Sequence, residues 1–473
     1  MLKIYNTKTR RKEEFVPVAE GHVGMYVCGP TVYGPPHLGH AKSYISFDII
    51  HRYFKYLGYK VKYVQNITDV GHLVGDGDDG EDKIAKQAKV EKLDPYEIAY
   101  KYECDYFAAM DALNILRPSI SARATGFIID IIDAVKEIVD KGYGYVTSEG
   151  NVYFDVHKYP KYGQLSNRKL DANVSGERIE VASDKKNPED FALWKAVDDK
   201  TLMKWNSPWG QGCPGWHIEC SVLGRKFLGD KFDIHGGGID NLFPHHECEC
   251  AQGDILTGDV PMNYFLHNNL VTVNGTKMGK SLGNSMTLTD LFARYGAQVI
   301  RYFVVQFHYR SMIDFSDEAI QLAKKNLDKI TEFVLSVRKI ASTEASPTGE
   351  LKEILNNCEE AMNDDFNTPV LIAEILKLVK VGAPAVKLGD KQKCEEINYI
   401  ISHMIEGVLG LKFEAQMATE EEMIAPEIEA LAKARWQAKK DRDFAKADAL
   451  RGEIAAKGYE VIDTKDGYEL NKI

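Results

Sequence analysis

The strongest constraint on the fold of this 473-residue chain is a change of hydrophobic period near its start. HVGMYV (22–27) is an apolar run of strand length. CGPTVYGPPHLGH (28–40) is broken by Gly and Pro. AKSYISFDIIHRYFKYLG (41–58) carries its apolar residues at helical spacing, and YKVKYVQNITDV (59–70) returns to a strand pattern. Strand, turn, helix and strand in that order form a β-α-β unit. Such a unit predicts a parallel sheet with its ligands at the C-terminal ends of the strands. The turn itself holds a cysteine followed by two histidines, Cys28, His37 and His40.

The rest of the chain is organised around that unit. Its length exceeds what one core supports, so three or four domains are expected. The pattern predicts an α/β domain in two halves, 1–125 and 213–265, around an insert at 126–212. A region at 266–316, a nearly all-helical stretch at 317–410 and a small tail at 411–473 follow. GYGYVTSEGNVYFDV reads as a hairpin within the insert, and Asn274-Gly275 marks a tight turn. GDGDDGEDK (75–83) is acidic and Gly-rich, but its spacing does not match a calcium loop, so a flexible insertion is expected. No apolar run reaches the roughly 18 residues of a membrane span, and the N-terminus lacks the apolar segment of a signal peptide. A cytoplasmic protein is expected, with its eight cysteines as thiols or metal ligands rather than disulfides. The net charge of −11 argues against a chain coated in nucleic acid. It leaves room for a local basic patch, and KARWQAKKDRDFAKADALR (433–451) supplies one, with seven Lys/Arg against three Asp.

The densest group of metal-type donors is HHECEC (245–250). On a helix His245 and Glu249 share a face, and so do His246 and Cys250. Cys28 and Cys220 stand at other strand ends. Thiolate, imidazole and carboxylate together suit a borderline-soft ion such as Zn2+. Spacing leaves the ligand set open, since Cys213, Cys248 and Cys250 are competitors.

A second group suits a nucleotide. His37 and His40 at a helix N-terminus combine imidazole donors with free amides and the helix dipole, which attract phosphate. Gly39 lets a ligand pack against the backbone. His235-Gly236-Gly237-Gly238 permits close approach of a flat base or ribose, and Asp240 can accept ribose hydroxyls. Lys277 and Lys280, in KMGKS on a Gly-rich loop, can close over a polyphosphate. Each piece alone is weak, but HLGH followed some 240 residues later by KMGKS is far more specific.

With those two motifs the sequence resembles the class I aminoacyl-tRNA synthetases, and within them the cysteinyl-tRNA synthetases. MYVCGPTVY, NITDV, NPEDFALWK, SPWGQGCPGWHIECS, FDIHGGGIDNLFPHHE, NGTKMGKSLGN and RDFAKADALR carry the resemblance over almost the whole chain. It implies a Rossmann-type catalytic domain with an inserted connective domain. It also implies a stem-contact region around the KMGKS loop, a helical bundle for tRNA and a C-terminal anticodon-recognition domain. By the same resemblance one zinc ion per chain is held by Cys28, Cys220, His245 and Glu249, while Thr68, Trp216 and His235 line a cysteine pocket. ATP with Mg2+, L-cysteine and tRNA(Cys) are the implied partners, no membrane is involved, and a monomer is expected. The departures are Leu38 in place of Ile, Gly279 in place of Ser, Gly34-Pro35-Pro36 in the turn, and Cys213 where a basic residue is common. A cysteine:amino-sugar ligase shares the catalytic core but lacks the C-terminal domains, a silent tRNA-binding paralogue would have lost a signature histidine or lysine, and a zinc metallohydrolase would need His-Glu-x-x-His spacing.

Overall fold

Apolar runs bounded by Gly and Pro give short strands buried on both faces, the signature of a parallel sheet covered by helices. The computed structural model describes residues 1–74, 80–168, 184–278, 285–413, 426–463 and 467–472. Its central sheet has five strands: β1 (His22–Val27), β2 (Lys60–Ile67), β3 (Ile120–Arg123), β4 (Phe232–Gly238) and β5 (Met262–Asn268). All pair in parallel, in the order β5-β4-β1-β2-β3. Tyr26 of β1 lies opposite His235 of β4 and Val64 of β2, so the strands end together. The order reverses between β1 and β4. That reversal opens a crevice beyond the strand ends, where α/β sheets bind ligands.

Five helices frame this edge. They are α1 (Leu38–Tyr56), α2 (Lys83–Glu91), α3 (Ile218–Leu228), α4 (His245–Thr257) and α5 (Ala297–Val305). Tyr26, Val64, Leu223, Phe232 and Phe265 form a buried core between sheet and helices. Between β3 and β4 the chain makes a helix (Ile128–Asp140) and a five-stranded antiparallel sheet. The expected hairpin is part of it, with Tyr145 opposite Tyr153. After β5, Val273 pairs with Thr276 across Asn274 and Gly275, whose φ values of 49° and 75° are the two positive angles a two-residue hairpin turn requires.

The helical region comprises Asp317–Ile340, Gly349–Asn363, Thr368–Leu388 and Lys391–Ile400, the last running on into a π-helical segment at Ile401–Val408. Its end is tied to the sheet domain by Arg301 of α5. Arg301 is fully buried, and its guanidinium donates to the Leu409 carbonyl at 2.7 Å, the Leu113 carbonyl at 2.8 Å and the Asp48 carboxylate of α1. Residues 413–473 form a second compact unit. Within it, helices Pro426–Lys440 and Phe444–Ala456 pack on an antiparallel pair of strands around Ile428, Ala432, Ile454 and Val461. Trp436 there contacts Tyr468 at 6.2 Å between ring centres, with the Lys439 and Lys440 ammoniums over its ring. No helix among the described residues is long and apolar enough to cross a membrane.

Candidate active site

Cys28 directly follows β1, Cys220 lies in the first turn of α3, and His245 and Glu249 sit one turn apart on α4. All four are buried at the point where the strand order reverses. The Cys28 and Cys220 sulfurs are 3.9 Å apart, and Cys28 Sγ is 3.7 Å from Glu249 Oε1. His245 Nε2 lies 3.5 Å from Cys220 Sγ and 3.1 Å from Glu249 Oε1. A tetrahedral zinc site with ordinary bond lengths has ligand-to-ligand edges of about 3.3–3.8 Å, so the spacing fits. The other ring nitrogen of His245, Nδ1, is 2.7 Å from His217 Nδ1, which fixes the ring and points Nε2 at the cluster.

A second set shares two of these donors. Cys28 Sγ is 3.3 Å from His246 Nε2, and His235 Nε2 is 3.1 Å from Glu249 Oε2. In each set the donor atoms all lie within 4.8 Å of one another. His246 in turn is held by His267, 2.8 Å from its Nδ1, and His267 by Thr7 at 2.8 Å. His217 and His267 carry no spacing signal in the sequence. They arrive from separate segments, and only the fold brings them to the cluster.

The electrostatics of the cluster are set by burial. Burial pushes the Cys220 thiol up, and neighbouring Cys28 adds to it. Burial holds His245 and His246 well below the usual imidazole value, in the neutral form that ligates metals. Burial works against charging His235, but the Glu249 carboxylate outweighs it and pushes this imidazole up to about 10. A cation among these donors would take over the offsetting of Glu249.

The phosphate-type residues converge from two directions. His37 precedes α1, and its ring stacks on His40 with centroids 3.9 Å apart. His40 Nδ1 accepts from the His37 amide at 3.1 Å. The chain beyond the KMGKS loop pairs back onto this turn: the Leu288 amide donates to Pro36 O at 2.8 Å, and the Leu38 amide to Met286 O at 3.3 Å. Met278 reaches Gly39, where an added Cβ would lie 3.3 Å from its terminal methyl. Lys277 Nζ is 3.6 Å from Asp240 Oδ1, both side chains being about two-thirds exposed, at 64% and 63%. Lys280 and Gly279 lie outside the described residues.

A model of the class I (C) tRNA synthetase catalytic domain matches residues 14–325, and a DALR-domain model matches 357–414. The chain is 48% identical to a cysteine–tRNA ligase of Bacteroides fragilis over 492 aligned positions, covering 100% of this chain and 99% of that one. It is 46% identical to that of Chlorobium luteolum, with 100% and 99% covered. The chain belongs to the cysteine–tRNA ligase family. Among solved structures, methionyl-tRNA synthetase of Mycobacterium tuberculosis in complex with methionyl-adenylate superposes with a TM-score of 0.57 at 14% identity, covering 90% of this chain and 96% of that one. At that identity the likeness speaks for the class I fold alone.

Set in the cysteine–tRNA ligase family, the remaining sequence-predicted residues fall close to the cluster. His235 is one of its members. Trp216 stacks on the His245 ring, centroids 4.5 Å apart. Thr68, buried at the end of β2, donates from Oγ1 to Glu219 Oε1 at 2.7 Å and accepts from Asn66 Nδ2 at 3.0 Å. The three glycines after His235 differ in what they face. A Cβ at Gly236 would strike the Phe47 ring of α1 at 2.3 Å, and one at Gly237 would lie 2.9 Å from His246. At Gly238 nothing lies within 4 Å. Gly236 therefore lets α1 close on the sheet, and Gly238 presents backbone to open space.

Proposed function

We propose that this chain activates L-cysteine with ATP to cysteinyl-adenylate and pyrophosphate, then transfers cysteine to the 3′ end of tRNA(Cys). The observation that carries this reading is the position of the buried Cys28–Cys220–His245–Glu249 donor set. Its Cys28 lies on the same strand-to-helix connection as the paired histidines of HLGH, in a chain of the cysteine–tRNA ligase family.

The two thiols in that set favour it for Zn2+ over the alternative with His235 and His246, which offers one. Cys28, Cys220, His245 and Glu249 would hold a zinc ion, which would supply a soft Lewis acid for which the substrate's thiol is a far better ligand than serine's hydroxyl. Size alone separates such close analogues by only about 1–3 kcal/mol, so this chemistry permits the roughly 10⁴-fold selection that translation needs without hydrolytic editing. Trp216, Thr68 and His235 enclose the substrate. Its carboxylate is already a nucleophile, and it attacks the α-phosphate of ATP as the bond to pyrophosphate breaks. The protein's part is positioning and charge stabilisation. His37 and His40 donate to the phosphates as charge shifts, and Lys277 and Lys280 hold the departing pyrophosphate. Gly39 and Gly238 let the nucleotide approach the backbone, Asp240 accepts ribose hydroxyls, and Mg2+ enters with ATP. A ribose hydroxyl of the terminal tRNA nucleotide then attacks the activated carbonyl.

Residues 126–212 serve as connective domain, 266–316 contact the acceptor stem, 317–410 bind the tRNA body and 411–473 read the anticodon. The enzyme works as a cytoplasmic monomer with one zinc per chain. Cysteine-dependent ATP–pyrophosphate exchange followed by charging of tRNA(Cys), with serine as control, tests the whole reading. Exchange without charging points to a cysteine:amino-sugar ligase, and absence of exchange removes the enzyme reading.

A further inference from the structure

Trp216 stacks against two histidine rings. One is that of His245. The other is that of His72, a closer and flatter stack with centroids 3.8 Å apart and planes 12° from parallel. His72 is 7% exposed and held at both nitrogens: Nδ1 lies 2.5 Å from Thr31 Oγ1 and Nε2 lies 2.7 Å from Lys83 Nζ.

His72 and Lys83 stand on opposite sides of the neck that closes the acidic segment 75–79. The Lys83 amide donates to His72 O at 2.9 Å, and the Val74 amide to Glu81 O at 3.0 Å. Asp82 locks the base of the neck, accepting from the Gly71 amide at 2.8 Å and capping α2 through Ile84 and Ala85. The neck also touches the strand that leads to Trp216. Gly71 has φ +81°, and a Cβ there would lie 2.5 Å from the Pro214 carbonyl oxygen, so the contact requires glycine.

We infer that His72, aligned by Thr31 and Lys83, is a positioning residue that holds Trp216 over the metal-side pocket and thereby sets the affinity for the cysteine substrate. The inference rests on the proposed function. It assigns to the neck of the acidic insertion the outer wall of the amino-acid site. Two independent contacts support it, the ring stack on Trp216 and the backbone approach of Gly71 to Pro214. A loop serving only as a surface insertion needs neither.

The test is cysteine-dependent ATP–pyrophosphate exchange by the full zinc-loaded chain. His72→Ala is expected to raise KM for L-cysteine about tenfold with kcat and KM for ATP changing far less, the split expected for lost substrate positioning. His72→Phe keeps a flat ring against the indole and is expected to restore KM to within about threefold. Because the chain has five tryptophans, Trp216 emission is isolated by subtracting a Trp216→Phe variant. His72→Ala should change that emission, since the indole loses a stacked ring. Should His72→Ala fail to fold, Lys83→Met decides: about a threefold rise in KM for cysteine with altered Trp216 emission supports the inference. An active enzyme whose KM for cysteine and Trp216 emission are unmoved by His72→Ala or Lys83→Met overturns it, as does His72→Phe behaving like His72→Ala. An unaltered chain without any cysteine-dependent exchange overturns the proposed function, and this inference with it.

Discussion

The proposed metal side and the proposed phosphate side of the crevice begin on the same turn, yet they are built differently. On the metal side Cys28, Cys220, His245 and Glu249 are all buried, and their donor atoms already lie within 4.8 Å of one another. On the phosphate side Lys277 is about two-thirds exposed and stands opposite an equally exposed Asp240. One side is set by packing before any ligand arrives. The other leaves its lysine at the surface beside an acid. The contrast matches the two tasks. Selecting one amino acid needs fixed geometry, because small displacements erase small differences in substrate chemistry. Binding and releasing a polyphosphate needs a site that opens.

The largest effect is expected from removing a fixed donor. Cys220→Ser should lose bound zinc and lower cysteine-dependent exchange more than about 10³-fold, because the remaining buried donors then lack a soft fourth partner. Metal analysis and exchange rates on the same sample check this. Retained zinc with full activity would favour the set containing His235 and His246. Next in size is the anchor of α1 on α5. Asp48 and Arg301 are fully buried, and Arg52 also reaches Asp48, at 2.8 Å. Breaking such a buried pair with Asp48→Asn should cost about 3–5 kcal/mol of stability by urea unfolding. Because α1 carries His40 and starts directly after His37, ATP binding should weaken before zinc is lost. Burial alone would raise the Asp48 pKa, but Arg301 and Arg52 outweigh it and the net shift is down. The pair's contribution is therefore complete above the ordinary carboxylate pKa of about 3.9 and is lost as pH falls through the lower folded value. In the Asp48→Asn variant this part of the acid sensitivity should vanish.

The same contrast explains what could be read from the letters. The β-α-β unit was legible because the hydrophobic period changes abruptly at Cys28 and again after Gly58. The Asn274-Gly275 turn was legible because few dipeptides tolerate two positive φ angles. The donor cluster was only half legible. His245 and Glu249 share a helix face by arithmetic, but Cys28 and Cys220 join them through a sheet topology that no spacing encodes, and the choice among eight cysteines came from resemblance. His217, His267 and His72 were not legible as parts of the site. Each is a single histidine in its own segment, and its role comes from a contact made 11 to 144 positions away: His72 with Lys83 and Trp216, His267 with His246, His217 with His245. The run of glycines after His235 shows the converse. It looks like one nucleotide-facing patch, yet Gly236 is required by the packing of Phe47.

Smaller effects should come from the exposed side. Lys277→Ala removes one cation proposed to hold the pyrophosphate and should lower kcat about 10²-fold, at the low end for a transition-state donor because this side chain is about two-thirds exposed. KM for cysteine and zinc content should hold steady; if KM for cysteine rises instead, the two sides are not separate. Asp240→Asn gives the finest division. As a partner of Lys277 alone, Asp240 contributes little, since exposed ion pairs are worth about 0–1 kcal/mol, and freeing the lysine would leave KM for ATP unchanged or lower. As an acceptor for the ribose hydroxyls it contributes a charged hydrogen bond, and its loss should raise KM for ATP about tenfold. The tenfold rise is expected, because Asp240 follows directly on Gly238 and Ile239 at the open end of β4, where backbone faces empty space. An unchanged or improved KM for ATP would reduce Asp240 to a resting partner of the lysine and place the ribose elsewhere on the strand ends.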